Sequence, residues 1–167
     1  MRTTAMAALV LIASTSLAFA QQPAPNPAAS RTMVSAADVA ALIAKAKADR
    51  KEGQALLAQS MIQLAPYNVS LEYRAAVANA AVHETEAELF YVIDGSATLV
   101  TGGKLTADAT RNGANLSGKG IEGGTSRKVA KGDFIMVPEN TPHWFSAIDG
   151  TVVLMSLHLP HSASAPK

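Results

Sequence analysis

The fold of this protein is decided by two stretches of its sequence, His83-Glu-Thr-Glu-Ala-Glu88-Leu-Phe-Tyr-Val-Ile-Asp-Gly95 and Gly132-Asp-Phe-Ile-Met-Val-Pro138-Glu-Asn-Thr-Pro-His143. In each, a short run of strand-forming apolar residues stops at a turn signal. Leu89 to Ile93 stops at Asp94-Gly95, and Phe134 to Val137 stops at Pro138. The two stretches therefore predict short strands that carry histidine and glutamate side chains at their ends.

The spacing of the polar residues makes the pattern specific. Glu88 lies seven residues before Gly95, Pro138 lies six after Gly132, and His143 lies five after Pro138. With these spacings the pair of stretches resembles the two motifs of the cupin superfamily, His-x-His-x(3–4)-Glu-x(6)-Gly and Gly-x(5)-Pro-x-Gly-x(2)-His-x(3)-Asn. The resemblance extends over about residues 67 to 158.

The sequence departs from the cupin motifs at three positions. His83 lies five residues before Glu88, which suits the second histidine of the first motif and leaves Ala81 at the position of the first. If His83 were the first histidine, Thr85 would replace the second and the gap to Glu88 would be too short. In the second motif Asn140 stands where glycine is usual, and Ala147 stands where asparagine is usual.

The resemblance implies a single all-β, jelly-roll-like barrel of the cupin type, with the function inside it. It also implies that His83, Glu88 and His143 surround one point. Two imidazoles and one carboxylate suit Fe(II), and they also accept Mn, Zn, Ni or Cu, so one divalent metal ion is the expected cofactor. The alternative is a cupin that binds no metal and keeps these groups as a hydrogen-bonded cluster.

Four residues are candidates for the wall of a substrate pocket: Tyr73, Arg74, Phe90 and Met136. In the first motif, alternation places Phe90 on the same face as Glu88. In the segment before it, Glu72 and Arg74 share one face and Tyr73 lies on the other. If Arg74 faces the cavity, it could clamp a substrate carboxylate. The alternative is that Glu72 and Arg74 face water as a surface ion pair.

Three classes of function agree with this pattern. The first is a metal-dependent enzyme, either an oxygenase or an isomerase or lyase that polarises a carbonyl. The second is a sensor or carrier that binds a small molecule without turnover, and the third is a metal-free structural module. The fold by itself does not choose between these classes.

The N-terminal 20 residues predict a secretory signal peptide. Arg2 is followed by a largely apolar stretch from Ala5 to Leu17 and by the small-x-small site Ala18-Phe-Ala20. No cysteine follows, which excludes a lipoprotein anchor, and we expect no membrane attachment after cleavage. The mature protein is expected to be secreted, or periplasmic if the organism is a Gram-negative bacterium.

Charge excludes a nucleic-acid-binding function. Arg2 is the one charged residue of the signal peptide, so 13 basic residues remain against 13 acidic ones after cleavage. A balanced chain has no basic footprint for nucleic acid or for an anionic membrane surface. The expected partner is a small-molecule ligand.

The rest of the chain is divided into a flexible lead at 21–34, a helix at 35–53, the barrel at 54–160 and a tail at 161–167. Ser35 and Asp38 predict the start of the helix, which would flank the barrel or lie at a homodimer interface. The Gly-rich insertion 102–126 predicts either a lid or a disordered loop. His158 either lines the cavity or is a structural histidine, and we expect His161 to be solvated.

Signal-peptide cleavage should occur between Ala20 and Gln21, because the preceding small residues fit a signal peptidase and the following Gln-Gln-Pro is polar and extended. The intact mass of the exported protein checks this prediction. An exported protein that retains residues 1–20 would contradict it.

Overall fold

A computed structural model of the protein describes residues 31–161. The predicted signal peptide, most of the lead 21–34 and all but the first residue of the tail 161–167 lie outside these residues. The described part is mostly β-structure with one helix. That helix is neither long nor apolar enough to cross a membrane.

The elements, in chain order, are α1 Ala36–Asp49, β1 Leu56–Leu64, β2 Tyr67–Arg74, β3 Ala80–His83, β4 Glu86–Thr101, β5 Lys104–Leu105, β6 Thr110–Asn112, β7 Asn115–Gly118, β8 Ile121–Glu122, β9 Thr125–Ala130, β10 Phe134–Val137 and β11 His143–Pro160. Nine of these strands form one sheet, and β5 and β8 form a second of two strands.

Helix α1 begins with a capping box. The Ser35 hydroxyl accepts a hydrogen bond from the Asp38 backbone N–H, and the Asp38 carboxylate accepts one from the Ser35 backbone N–H. The helix ends at Asp49, earlier than the predicted Gly53, because Arg50 already has extended dihedrals. Its apolar face packs on the outer side of β1 and β2, where Ala46 is fully buried. The helix therefore flanks the sheet, as predicted.

Two long antiparallel strands, β4 and β11, organise the sheet and belong to both of its halves. In one half, β1, β2 and β10 flank the first part of β4 and the last part of β11. In the other half, β9, β3, β7 and β6 flank the remaining parts of the same two strands. Register irregularities in β11 between 145 and 154 mark the change from one half to the other.

The core lies between the two halves of the sheet, because both contribute buried side chains to one cluster. These are Phe90, Val92, Ala97, Leu99, Val129, Ile135, Val137, Phe145, Val152 and Leu154. Glu88, Phe90 and Val92 share the inward face of β4, which confirms the predicted alternation. Among the described strands no ladder closes the sheet into a ring. The closed barrel therefore stays a prediction.

The insertion 102–126 is built from short strands, so its interpretation as a disordered loop is wrong, whereas a role as a lid stays a prediction. Strands β5 to β8 all lie within it, and β7 pairs with β3 from Ala80↔Gly118 to His83↔Asn115. The strands are short and polar, and its glycines turn the chain at positive φ, as Gly113 does between β6 and β7. Such short polar strands show no hydrophobic alternation, so the sequence of this segment gave no strand signal.

Gly95 and Gly150 provide a matched test of the close approach of β4 and β11. Both have positive φ, at 81° and 75°, but a Cβ at Gly95 would lie 2.0 Å from the Thr151 carbonyl oxygen, whereas at Gly150 it would meet nothing within 4 Å. We expect Gly150→Ala to cost about 1 to 2 kcal/mol, the penalty of a left-handed residue. Gly95→Ala should cost at least about 2 kcal/mol more, because backbone must move. Urea denaturation measures both, and equal losses would contradict the prediction.

Candidate metal centre

Glu88 lies at the centre of the candidate site. Its position on the inward face of β4 leaves the residue 3% exposed. The carboxylate oxygen Oε1 accepts a hydrogen bond from the Ser156 hydroxyl at 2.5 Å. The other oxygen, Oε2, is buried and accepts no hydrogen bond within the described part of the chain. A buried carboxylate oxygen without a hydrogen-bond donor is costly, and a cation bound to this atom would remove that cost.

Three imidazoles converge on this carboxylate. The Nε2 atoms of His143 and His83 lie 3.1 Å and 3.3 Å from Oε2 of Glu88. The Nε2 atom of His158 lies 3.4 Å from Oε1. His83 ends β3, His143 begins β11, and His158 lies near the end of β11. The structure thus brings together the three predicted ligands. It also places His158 beside them, which agrees with the predicted alternative that His158 lines the cavity.

The far nitrogen of each imidazole is held by an oxygen atom. The Nδ1 atom of His83 lies 2.7 Å from Oδ1 of Asn115. The Nδ1 atom of His143 lies 3.2 Å from the Thr141 carbonyl oxygen, and that of His158 lies 3.0 Å from Oε2 of Glu86. A carbonyl or carboxylate oxygen can only accept, so Nδ1 carries the proton. A neutral imidazole then presents a bare lone pair at Nε2. Such orientation by outer hydrogen bonds is typical of metal-binding histidines.

Electrostatics keep Glu88 anionic. Burial by itself raises the pKa of the Glu88 carboxyl, but the nearby imidazoles of His143 and His83 and the Ser156 hydroxyl outweigh burial and hold this pKa well below its usual range. The adjacent Glu88 carboxylate raises the pKa of His83, against the effect of burial. The site therefore offers a charged carboxylate ligand at neutral pH.

The separations fit a single ion. Two ligand atoms about 2.1 Å from one ion lie about 3.0 Å apart at a right angle and about 3.4 Å apart at the tetrahedral angle. The three distances between imidazole nitrogens and the carboxylate fall in or close to this range. Ligand atoms of His83, Glu88 and His158 also lie within 4.8 Å of one another. His143 is outside that group of three, although it makes the shortest contact with Glu88. His83, Glu88 and His158 thus fit a divalent metal ion as a group, and His143 is a further candidate ligand through its contact with Glu88.

One departure from the motif has a structural explanation. Asn140 has a φ of 54°, and its backbone N–H donates a 2.7 Å hydrogen bond to the His83 carbonyl. Asparagine is among the few residues other than glycine that adopt this conformation readily. Asparagine in place of glycine therefore preserves the turn that joins β10 to β11, the strand that begins with His143.

Two of the four pocket candidates lie inside the protein. The Phe90 ring packs beside His143, with ring centroids 6.0 Å apart, and forms an apolar wall. Arg74 also faces inward, but its Nε and Nη2 atoms bind Glu72 at 2.8 Å and 2.7 Å, and its guanidinium lies over Phe145. Both members of this pair are 8% exposed, so the surface ion pair was a wrong expectation. Glu72, rather than a substrate, occupies the fork of Arg74.

The other two candidates, Tyr73 and Met136, are corrected by the structure. Tyr73 packs in the outer layer with α1, because strand alternation turns it away from the face of Arg74. Met136 alternates with the buried Ile135 and Val137, is 53% exposed, and borders a surface groove with Phe134 and Arg127. Neither side chain belongs to the interior site.

Comparison with known proteins places the chain in a family. The family described as Cupin matches residues 54–165, so the chain belongs to the cupin family. Comparison with curated proteins found no match to this sequence.

Among solved structures, the protein BH2720 from Bacillus halodurans has a TM-score of 0.52 at 12% identity, over 82% of this chain and 87% of that one, which shows a common fold. KdgF from Halomonas sp. has a TM-score of 0.49 at 14% identity, over 68% of this chain and 86% of that one. FeII HppE has a TM-score of 0.49 at 14% identity over 66% of this chain, which spans only 54% of the HppE chain.

Asn115 tests whether the insertion orients a metal ligand. Asn115→Ala removes the acceptor for His83 Nδ1, and loss of such an outer partner typically weakens metal binding by about 10- to 100-fold. Asn112→Ala is the matched control, because Asn112 is an exposed residue of the same β6–β7 hairpin. Competition titration with Co(II) measures both affinities. Equal affinities for the two variants would contradict the orienting role.

Proposed function

We propose that this cupin binds one divalent metal ion through His83, Glu88 and His143 and uses it to act on a small molecule. The observation that carries the proposal is the buried Oε2 atom of Glu88, which lacks a hydrogen bond within the described residues while two imidazole nitrogens lie 3.1 Å and 3.3 Å away. Two imidazoles and a carboxylate are a ligand set suited to Fe(II), and Mn, Zn, Ni and Cu are the other candidates.

The metal explains the geometry better than a hydrogen-bonded cluster does. Because Thr141 and Asn115 hold the Nδ1 protons, hydrogen bonds from both Nε2 atoms to Glu88 would require two imidazolium ions side by side. The His83 and His143 ring centroids are only 5.3 Å apart, and two like charges at that distance disfavour each other. A single divalent ion neutralises the carboxylate and accepts both lone pairs.

The site combines a buried inner side with an open outer side. Side chains of Glu88 and His143 are 4% and 6% exposed, whereas those of His83 and His158 are 18% and 28% exposed. A small molecule can therefore reach the ligands from the side of His83, while Phe90 excludes water from the inner side. When bound, a divalent ion supplies Lewis-acid polarisation of a carbonyl, or a position for O₂ if it is Fe(II).

The neighbouring carboxylates favour a second candidate, a cupin that binds its small molecule without turnover. Glu84 receives two hydrogen bonds from Arg111, at 2.5 Å and 2.9 Å, and Glu86 is held by His158. A general base needs a free acceptor within reach of the substrate proton, and both carboxylates are engaged. A carrier or sensor needs no such base.

We also propose where the protein is located and how its sheet encloses the metal centre. The predicted signal peptide supports a secreted protein, or a periplasmic one in a Gram-negative bacterium. The two facing halves of the sheet support a jelly-roll barrel with the metal centre in its interior.

Metal content of the purified mature protein tests the proposal. Elemental analysis should find about one divalent ion per chain, and Co(II) should bind with the same stoichiometry. Glu88→Gln should weaken Co(II) binding by at least about 100-fold, because it removes the one anionic ligand at the centre of the cluster. Glu84→Gln is the control and should bind like the parent, since Glu84 pairs with Arg111 instead.

A parent protein that binds neither its own metal nor Co(II) would overturn the proposal. If metal binds, turnover assays with small carbonyl compounds, with and without O₂, separate the enzyme from the carrier. Binding without any turnover would favour the second candidate.

A further inference from the structure

His158 meets the same two structural conditions as the proposed ligands His83 and His143. Its Nδ1 atom is held by an oxygen, 3.0 Å away on Glu86, and its Nε2 atom faces the Glu88 carboxylate at 3.4 Å. Its ring also lies close to His83, with centroids 4.6 Å apart, compared with 5.3 Å between His83 and His143. By position and orientation, His158 belongs to the cluster as much as His143 does.

The position of His158 is fixed by backbone pairing. It lies directly opposite Glu88 in the ladder between β11 and β4, and opposite Asn68 in the ladder between β11 and β2. A strand paired on both sides has little freedom to move. The same strand presents Ser156, which is fully buried, to Oε1 of Glu88. The imidazole is therefore delivered to the site by a rigid element, as a metal ligand needs to be.

We propose that His158 is a third histidine ligand, so that three imidazoles and one carboxylate hold the metal. This inference rests on the metal site of the proposed function. The third imidazole supplies the donor that the first motif lacks at Ala81. Four protein ligands leave about two positions of a six-coordinate ion for the small molecule, and imidazole-rich sites suit Fe, Ni, Cu and Zn better than Mn.

Glu86 has a positioning role in this arrangement. Its carboxylate accepts the Nδ1–H hydrogen bond of His158, which leaves the Nε2 lone pair directed to the metal. The competing role for the Glu86–His158 pair is proton transfer to or from a bound small molecule. If the pair only transfers protons, replacing either residue leaves the metal affinity and the number of bound imidazoles unchanged. If His158 is a ligand, replacement lowers both, so these two measurements separate the roles.

The experiment compares the parent with His158→Ala, and uses His161→Ala as the matched control. His161 lies three residues further on, is exposed, and contacts Glu139 rather than the cluster. Competition titration with Co(II) gives the dissociation constant, and X-ray absorption of the Co(II) protein gives the number of imidazoles. We expect His158→Ala to raise the dissociation constant by about 100-fold and to remove one imidazole from the spectrum. His161→Ala should change neither quantity.

The outcomes distinguish this inference from the proposed function. If the parent binds Co(II) and His158→Ala retains both the parental affinity and the imidazole count, the inference is overturned while the proposed function stands. If the parent binds no Co(II), both are overturned. Thermal melting verifies that His158→Ala is folded, and His158→Gln, which keeps more of the side-chain volume, repeats the measurement if it is not.

Glu86 variants test the arrangement independently of His158 substitutions. Glu86→Ala should weaken Co(II) binding by about 10-fold, because it frees the His158 ring. Glu86→Gln should restore most of the affinity, since an amide oxygen still accepts the Nδ1–H hydrogen bond. Parental affinity in Glu86→Ala would count against His158 as a ligand.

Discussion

The burial of one negative charge is the constraint on which the rest of this structure depends. Glu88 is placed inside an apolar core by the alternation of β4, next to Phe90 and Val92. An isolated carboxylate in such surroundings is very unfavourable. Its surroundings supply one hydroxyl donor and three imidazole nitrogens from different parts of the chain. The groups that converge on Glu88 are thus also what makes the burial of its charge tolerable.

The long strands β4 and β11 connect this site to the rest of the fold. They run antiparallel through both halves of the sheet, so the register that fills the core with Phe90, Phe145 and Leu154 also aligns Glu88 with His158. Helix α1 covers the opposite face of the sheet and contributes to the outer layer with Leu71 and Val153. The hydrophobic core and the candidate site therefore depend on the same ladder.

The segment 102–126 contacts the candidate site directly, although its Gly-rich composition gave no sign of this. Strand β7 pairs with β3, and its first residue, Asn115, holds the His83 ring. The Glu84–Arg111 pair ties the same hairpin to the start of the first motif. A hydrogen-bonding partner such as Asn115 fixes the orientation of a ligand imidazole. The segment therefore supports β3, the strand that ends with His83.

The sequence by itself determined the local features of this protein. The spacing of Glu88, Gly95, Pro138 and His143 was sufficient to predict the family, and period-2 alternation placed Glu88 and Phe90 on one face. Ser35 and Asp38 marked the start of the helix, although its end at Asp49 was not apparent. These signals are local, because each depends on neighbouring residues along one strand or one helical turn.

Only the tertiary structure decided which distant segments meet. His158 reaches Glu88 because β11 pairs with β4 in one particular register, and Asn115 reaches His83 because β7 adds to β3. Arg74 is buried with Glu72 instead of facing water, while Tyr73 and Met136 lie outside the core. Register between segments far apart in sequence is set by the packing of the whole sheet. No pattern within a single segment contains that information, so the outer partners of the site had to come from the structure.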